Sequence, residues 1–316
     1  MSLGNELDIM IGVDDTGGEG QEIEARNVDQ HRQTLLAALI GKDDMEAFDA
    51  EWRSLVNGLN TAFGVSEFHA AELWGRTVRN SAGNKEAKKK AEAAILDAFA
   101  RATQICVDFD VVFVVQTVHE ETFGSFLAAL RKETEPTLQH LADELTRPRE
   151  NRKLAALLML SRTVLQWARK IGVAAGAEGE PKINAEWQVD DCPEFETLSS
   201  QAVGFVNAGF ARSSMKILES HTSSLVQAAD LGAYILNRHM YFVANRKETD
   251  AEKEKPSQGF LNAKALLART EDLVPLMLNI PSIRLGHKAI HAGTYDKLQD
   301  AHRASIGLDA LDFKRS

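Results

Sequence analysis

Three widely separated aspartates, Asp14, Asp190 and Asp230, are the residues of this sequence best suited to chemistry. Asp14 and Asp190 each follow a short apolar segment that predicts a β-strand. Because the ends of strands line the crevice in which open α/β sheets bind ligands, two acids at two strand ends predict a shared site. Carboxylate oxygens are hard ligands, which Mg²⁺ and Mn²⁺ prefer. An aspartate after a strand is also a common turn former or helix cap, and that is the structural alternative for each one singly.

Asp230 lies in a segment that predicts a buried helix. Ser223, Gln227, Asp230 and Tyr234 recur at intervals of four, three and four residues, so they share one helix face. The residues between them are mostly small or apolar and suit close packing. A carboxylate buried there is costly unless it is paired, hydrogen-bonded or bound to a cation. Asp230 is therefore the third candidate ligand, and a hydrogen-bonded core residue is the alternative.

A series of strands and helices must place these aspartates. Apolar patterning predicts strands at residues 7–13, 34–40, 106–118, 183–189 and 215–218. The third of these, rich in valine and phenylalanine, is expected at the centre of a sheet. Helical spacing predicts helices at residues 43–57, 85–104, 120–171, 195–206 and 222–245. The long helical region is interrupted near Pro136 and Pro148, and Thr222 is the expected N-cap of the last helix.

This order of elements predicts an α/β fold in which a sheet is flanked by helices. Residues 120–175 or so are expected to form a helical insertion within a domain that spans residues 1–245. Residues 246–316 are expected to form a charged linker and a helical C-terminal extension. The apolar segment Leu154–Trp167 suits either a core helix or the surface of a homodimer.

Composition excludes several classes of protein. The longest apolar stretches are far shorter than the roughly 20 residues of a membrane-spanning helix, so no membrane association is expected. The early acids Glu6 and Asp8 argue against a secretory signal. Two isolated cysteines, Cys106 and Cys192, are too few for a disulfide framework, and a cytoplasmic location is expected. The formal net charge of −10 repels nucleic-acid phosphates, so any such contact must be local and aided by bound cations.

Four short motifs occur in a recognisable order along the chain. They are Asp14-Asp15-Thr16-Gly17 after the first strand, Glu67-Phe68-His69, the strand that ends at Asp190, and Gln227-Ala228-Ala229-Asp230 on the late helix. Together they resemble the domain of unknown function 3800 family, which is regarded as ribonuclease H-like. The first motif of that family usually reads Asp-Glu-Ser-Gly, so Asp15 and Thr16 are conservative departures. The resemblance covers about residues 8–240 and leaves the helical insertion and the C-terminal extension unexplained.

The resemblance implies a ribonuclease H-like mixed sheet and a metal-dependent phosphodiester hydrolase, that is, a nuclease. Asp14, Asp190 and Asp230 would hold one or two Mg²⁺ or Mn²⁺ ions, with Asp14 as the bridging ligand. Nucleic acid would be the substrate, and the sequence gives no basis for choosing between DNA and RNA.

The resemblance also implies two further catalytic residues, Glu67 and His69. His69 would orient the scissile phosphate or move a proton, since the pKa of histidine lies near neutrality. A histidine that caps a helix start is the alternative. Glu67 matches the acid of the family that precedes the histidine, while Glu72 would share a helix face with His69. Asp15 and Asp191 are the alternative site residues to their neighbours Asp14 and Asp190.

Other functions remain open from the sequence. The same fold could serve as a non-catalytic binding or toxin-like interaction module, with the acids kept for structure. A strand that runs into Asp-Asp-Thr also resembles the entry motif of certain ATP-dependent tRNA-modifying enzymes, although the rest of the chain does not follow that pattern. His287 and His291 have metal-ligand spacing, but Lys288 stands where a zinc-protease motif needs glutamate.

Overall fold

A mixed five-stranded β-sheet lies at the centre of the structure, a computed structural model that describes residues 6–15, 32–74, 84–146, 151–174, 180–195, 198–244 and 258–270. The strands are β1 (Glu6–Asp15), β2 (Arg32–Gly41), β3 (Val112–His119), β4 (Lys182–Asp190) and β5 (Arg212–Leu218). Their order across the sheet is β3-β2-β1-β4-β5. The β1–β2 and β2–β3 pairs are antiparallel, whereas the β1–β4 and β4–β5 pairs are parallel.

Helices cover both faces of this sheet. They are α1 (Met45–Phe63), α2 (Lys85–Asp108), α3 (Glu120–Lys132), α4 (Pro136–Glu144), α5 (Arg152–Ala174), α6 (Ser200–Asn207), α7 (Ser224–Ala244) and α8 (Gln258–Arg269). One face packs against α1, α2, α7 and α8, and the other packs against α3, α4, α5 and α6. The expected α/β fold class is confirmed, with a mixed sheet flanked by helices, and helices are present where the insertion and the C-terminal extension were predicted.

The two hydrophobic cores follow from the alternation of side chains along each strand. In β1, Met10 belongs to the core beneath α7, whereas Ile9, Ile11 and Val13 belong to the core beneath α5. Successive residues of a strand point to opposite faces, so the same alternation applies at the end of β1. Asp14 therefore falls on the α7 side of the sheet, and the next residue falls on the α5 side.

The strand predicted at residues 106–118 differs from the observed one in two ways. Cys106 is buried in the last turns of α2, and the strand begins only at Val112. Asp110 takes a positive φ of 50° between the two elements. The strand also lies at an edge of the sheet and not at its centre. Helices cover both of its faces, and this explains how an edge strand can be apolar on both sides.

Two further boundaries shift by a few residues. The side chain of Ser223, and not that of Thr222, caps α7, since Ser223 Oγ accepts from the amide of Val226 at 3.1 Å. The helix predicted from residue 195 begins at Ser200, with Ser199 as its N-cap. The segment Leu154–Trp167, predicted as a core helix or a homodimer surface, lies within α5, and its residues Leu154 to Leu160 are buried in the core of the single chain.

Some predicted features lie outside the described residues. They are the Thr16-Gly17 half of the first motif, the charged linker up to residue 257, and the histidines at 287 and 291. Within the described part of the chain, none of the helices is long and apolar enough to cross a membrane.

Candidate functional site

Asp14 and Asp190 lie side by side at the carboxyl edge of two parallel strands. The last registered pair of β1 and β4 joins Val13 to Val189, and the two aspartates are the next residues of their strands. Because neighbouring strands are about 4.8 Å apart, the two residues are adjacent on one face of the sheet. The β-strand pattern predicted from the sequence thus brings together two acids that are far apart in the chain.

A glycine in β1 allows α7 to approach this edge closely. A Cβ atom added to Gly12 would meet the backbone of Leu225 and lie 2.7 Å from the amide nitrogen of Val226. Real Cβ atoms do not approach backbone atoms so closely, so only glycine fits at this position. The first turn of α7 therefore rests directly on β1, and Asp230 lies on the same helix about one and a half turns later.

Burial and neighbouring carboxylates raise the pKa of Asp14 well above its usual value. Desolvation is the largest cause, followed by repulsion from Asp230, Asp15 and Asp190. The amide of Asp15 donates to Asp14 Oδ1 at 2.6 Å and offsets part of this effect. Such crowding favours either a proton or a bound cation among these side chains.

The pKa of Asp190 is raised as well, to about 6. Desolvation is again the largest cause, and repulsion from Asp15 and then Asp230 adds to it. Lys153 acts in the opposite direction. Three elements, β1, β4 and α7, thus contribute acids that repel one another at a single edge of the sheet.

Asp230 is fixed by the start of the helical turn at residues 70–74 and by the residue before it. The amide of Ala70 donates to Asp230 Oδ2 at 2.7 Å, and His69 Nδ1 lies 3.4 Å from the same oxygen. That longer separation makes the histidine contact an ion pair more than a hydrogen bond, since among the described residues Nδ1 has no hydrogen-bond partner within normal geometry. Contact with Asp230 nevertheless raises the pKa of His69 to about 9, despite the opposing effect of burial. His69 and Asp230, predicted as site residues from distant motifs, are therefore in contact.

Gln227 connects three parts of the structure around Asp230. Its Oε1 accepts from Trp52 Nε1 at 3.0 Å and from the amide of Phe68 at 2.9 Å, and its Nε2 donates to the carbonyl of Ser220 at 3.1 Å. Gln227 is buried, and these three bonds link α7 to α1, to the segment around Phe68 and to Ser220. Gln227 is thus a structural residue of the late motif, and it positions Asp230, which lies three residues later on the same helix.

Glu67 faces the start of α7 and not the strand ends. Its Oε2 accepts from Ser220 Oγ at 2.6 Å, and its charge adds to the raised pKa of His69. Glu72 acts on His69 in the same way but more weakly. Asp191 is exposed, and its amide donates to the carbonyl of Leu218 at 3.0 Å.

A second group of polar residues lies on the α5 side of the sheet around Asp15. Lys153 Nζ lies 2.7 Å from Asp15 Oδ2 and 3.6 Å from Glu194 Oε2. Gln33 Nε2 donates to the same oxygen of Asp15 at 3.1 Å. Lys153 was missed in the sequence because a lysine in the first turn of a helix is typical of a solvated position. One available signal was the fully apolar segment that follows it directly, Leu154–Leu160.

The donor chemistry and charge of the group on the α7 side of the sheet suit a divalent cation such as Mg²⁺ or Mn²⁺. Asp14, Asp190 and Asp230 offer hard oxygen ligands, and a cation among them would relieve the repulsion described above. As the side chains stand, no three acidic, histidine or cysteine residues in the described part of the chain converge closely enough to hold a metal ion. Coordination would therefore require rotations of these side chains.

Comparisons with known proteins assign this chain to no family. No protein-family model matches the chain, and no curated protein is significantly similar to it. Among solved structures, the chain is similar to the ribonuclease H2 from Pyrococcus horikoshii OT3, with a TM-score of 0.32 and 12% sequence identity over 95% of this chain and 99% of that chain. The roles proposed below rest on the geometry of this chain and on the order of its sequence motifs.

Proposed function

We propose that this protein is a divalent-metal-dependent nuclease, a phosphodiester hydrolase with Asp14, Asp190 and Asp230 as its metal ligands. The observation that carries the proposal is the meeting of acids from β1, β4 and α7 at one edge of the sheet, where burial and then repulsion from Asp230, Asp15 and Asp190 raise the pKa of Asp14. Folding brings these acids together from three elements at an energetic cost, and a site that binds cations gives a reason for that cost. The order of the motifs from Asp14 to Asp230 further supports a relationship to the domain of unknown function 3800 family.

Bound Mg²⁺ or Mn²⁺ would supply an activated water and stabilise the charge that develops on the leaving oxygen. The chain itself would position that chemistry. The amide of Ala70 fixes one oxygen of Asp230, which leaves the other oxygen of this carboxylate for a ligand. His69, charged at neutral pH and in contact with Asp230, would bind a phosphate oxygen of nucleic acid or move a proton. Glu67 would act on His69 electrostatically, since its carboxylate is bonded to Ser220.

The test is hydrolysis of nucleic acid by the purified chain in the presence of Mn²⁺ or Mg²⁺. Asp14→Asn and Asp230→Asn are expected to abolish cleavage, because asparagine keeps the shape of aspartate but loses the charge that holds a cation. Asp191→Asn is the matched control, since this aspartate follows the site directly but is exposed. Single-stranded and duplex DNA, RNA and hybrid duplexes are tested in parallel.

Equal cleavage by the wild type and both site variants would mean that the activity is a contaminant and would contradict the proposal. Circular dichroism of each variant establishes that loss of activity is not loss of fold. Binding of Mn²⁺ to wild type and variants, measured without substrate, separates failure of metal binding from failure of the chemistry.

One observation favours a second function, a non-catalytic binding or interaction module. Lys153 already neutralises part of the acidic group, and the described side chains are not assembled around an ion. Under this alternative the melting temperature of the wild type would be indifferent to millimolar Mn²⁺ and Mg²⁺. A rise in melting temperature that is lost in Asp14→Asn would instead favour the nuclease.

A further inference from the structure

The helices on the α7 side of the sheet leave one half of that face uncovered. Among the described residues, the hydrophobic core beneath α7 takes side chains from β1, β2 and β3 and none from β4 or β5. Helix α7 begins beside β4, where Ser223 Oγ donates to Gln188 Oε1. It then runs over β1 to Gly232, which lies against Leu36 of β2 and Phe113 of β3. The helix therefore covers the half of the sheet that lies away from β5.

The uncovered half of this face is polar. Trp187 of β4 is buried in the core on the α5 side, and Met215 of β5 packs against that core. The residues that alternate with them consequently point to the α7 side. Those on β5 are exposed, and those on β4 are half-buried. We call this surface the open half-face, and its residues are Asn184, Glu186, Gln188, Arg212, Ser214 and Lys216. All six are polar or charged, so the surface suits a polar ligand and not an apolar partner.

The acids around the open half-face already have cationic partners. Glu186 pairs with Lys42, and Glu6 of the neighbouring strand lies 4.0 Å from Arg212. Lys216 is exposed, and among the described residues no carboxylate pairs with it. This lysine therefore keeps its charge for an anion from solution, although the chain as a whole carries a net charge of −10.

Lys216 lies close to the candidate site on the same face of the sheet. In the register of β4 and β5 it is the neighbour of Gln188, and Leu218 is the neighbour of Asp190. Two residues of a strand span about 7 Å, so Lys216 lies about that far below the level of Asp190. Because Gln188 Oε1 accepts from Ser223, its Nε2 is the group left to donate to a ligand. An ammonium and an amide are thus adjacent, at a short distance from the strand ends.

We propose that the open half-face binds the backbone of one nucleic-acid strand, with Lys216 on a phosphate and Gln188 as the donor beside it. The inference rests on the proposed function for the class of its ligand, but it requires no metal ion, since both contacts come from side chains. Two strands about 4.8 Å apart form this surface, a width that fits one backbone. Contacts to phosphate carry no sequence information, so binding here is independent of sequence.

The experiment measures binding of fluorescein-labelled single-stranded oligonucleotides by fluorescence anisotropy, in a chelator and over a series of salt concentrations. The wild type is expected to bind strands of different sequence with similar affinity. Lys216→Ala is expected to bind about tenfold more weakly at low salt, as for the loss of one charged hydrogen bond. Its plot of log affinity against log salt should be shallower by about 0.7, the effect of one phosphate contact to a single strand. Lys216→Arg keeps the charge and should keep the wild-type slope. Lys89→Ala is the matched control, since it removes an exposed lysine of α2, a helix of the covered half.

Several results would overturn the inference. They are unchanged binding in Lys216→Ala, an equal loss in Lys89→Ala, which would reveal a general effect of charge, and absence of binding by the wild type. Displacement of the oligonucleotide by polyglutamate as readily as by unlabelled oligonucleotide of equal charge would assign the surface to an acidic protein and overturn it too.

The outcomes also separate this inference from the proposed function. Binding that depends on Lys216, without any cleavage in Mn²⁺, would support the inference and contradict the nuclease alone. Cleavage that is lost in Asp14→Asn, together with unchanged binding in Lys216→Ala, would support the nuclease and overturn the inference alone.

Discussion

Asp14 and Asp15 are neighbours in the chain with opposite surroundings. Strand alternation places Asp14 among acids and Asp15 beside a lysine and a glutamine amide. The same residue type therefore has two different electrostatic states at adjacent positions. Which aspartate of an Asp-Asp pair meets a given helix depends on the register of the strand, so the two members cannot be exchanged without changing the site.

Asp190 gives a prediction about the pH dependence of stability in the metal-free protein. Its pKa is raised to about 6 from the ordinary 3.8, so the folded state holds this proton more tightly than the unfolded state does. The contribution to stability is present below about pH 4 and is lost as the pH rises through about 6. Asp190→Asn cannot ionise and is expected to be more stable than the wild type at pH 7.5, by about 1–2 kcal/mol after allowance for solvent screening.

Urea unfolding in the presence of a chelator, at pH 4 and at pH 7.5, measures this effect. The advantage of Asp190→Asn should shrink towards zero at the lower pH. Asp191→Asn removes an exposed acid at the next position and should change stability by less than about 0.5 kcal/mol at either pH. A pH-independent gain in Asp190→Asn would show that ionisation of Asp190 is not its cause.

His69 yields a prediction that separates orientation from metal binding. His69→Ala is expected to lower the rate of phosphodiester hydrolysis by about 10²–10⁴-fold, because a group that positions or moves a proton contributes that much and not the whole rate. The affinity for Mn²⁺ should change little, since Ala70 still holds Asp230. The control is His221→Ala, which removes an exposed histidine paired with Glu219. Loss of Mn²⁺ binding in His69→Ala would make His69 a ligand and contradict its assigned role.

At the scale of elements, the close contact between β1 and α7 is the feature that brings Asp230 to the strand ends. Gly12→Ala would place a Cβ against the backbone of Leu225 and Val226, and backbone atoms cannot move aside as a side chain can. The substitution is expected to destabilise the fold by about 1–3 kcal/mol and to weaken Mn²⁺ binding by shifting α7. Gly124→Ala is the control, because a Cβ on this exposed residue of α3 meets nothing within 4 Å.

Thermal unfolding and Mn²⁺ titration of both glycine variants provide the measurement. Gly124→Ala should be neutral or stabilising by up to about 1 kcal/mol, as expected for glycine to alanine within a helix. If Gly12→Ala had the stability and the Mn²⁺ affinity of the wild type, the position of α7 would not depend on this contact.

The hydrogen bonds of Gln227 give a second prediction for the elements around the site. Gln227→Leu leaves the buried N–H groups of Trp52 and Phe68 without their acceptor. An unsatisfied buried donor costs about 1–3 kcal/mol, so a loss of about 2–4 kcal/mol is expected for the pair. Gln139→Leu removes one exposed side-chain bond to the carbonyl of Glu133 and should cost less than about 0.5 kcal/mol. Equal effects in the two variants, measured by urea unfolding, would contradict the structural role of Gln227.

The sequence predicted those elements whose apolar pattern repeats over several residues. The strands that end at Asp14 and Asp190 and the helix that carries Asp230 were predicted close to their observed bounds. The error at Cys106 arose because the buried side of a helix end and an apolar strand have the same composition over a few residues. The position of β3 at the sheet edge could not be predicted, since strand order depends on contacts between distant segments.

The candidate site was predicted unevenly for a related reason. Asp14, Asp190, Asp230 and His69 stood in recognisable motifs, whereas the role of Lys153 depends on Asp15, a partner more than 100 residues away in the chain. The apolar segment that follows Lys153 was a local signal of burial, but it did not identify Asp15 as the partner of the ammonium. Residues that neutralise a site from another element are therefore visible only in the fold.

At the scale of the whole molecule, the acidity of the chain sets conditions on the proposed function. A formal net charge of −10 repels nucleic acid at long range. Under the proposed function, association with nucleic acid would therefore depend on cations bound at the site and on His69. The metal ion would then act in substrate binding as well as in chemistry.

Helix α8 belongs to the same hydrophobic core as α7, the helix that carries Asp230. Leu266 is 2% exposed and packs within the hydrophobic core that also contains residues of α2 and α7. Leu266→Ala is expected to cost about 2–4 kcal/mol, because it removes a buried side chain from that core. The whole chain should still unfold in a single transition at a lower temperature. Lys264→Ala, two residues earlier on the exposed side of the same helix, should leave the transition unchanged.

Scanning calorimetry of both variants distinguishes a shared core from an independent extension. If residues after 245 formed a separate unit, Leu266→Ala would leave the main transition in place and lower only a second, smaller one. A single shifted transition shows that α8 stabilises α7, the helix that carries Asp230. Removal of the chain after residue 245 should then reduce Mn²⁺ affinity together with stability, since the position of Asp230 depends on a helix that has lost part of its packing.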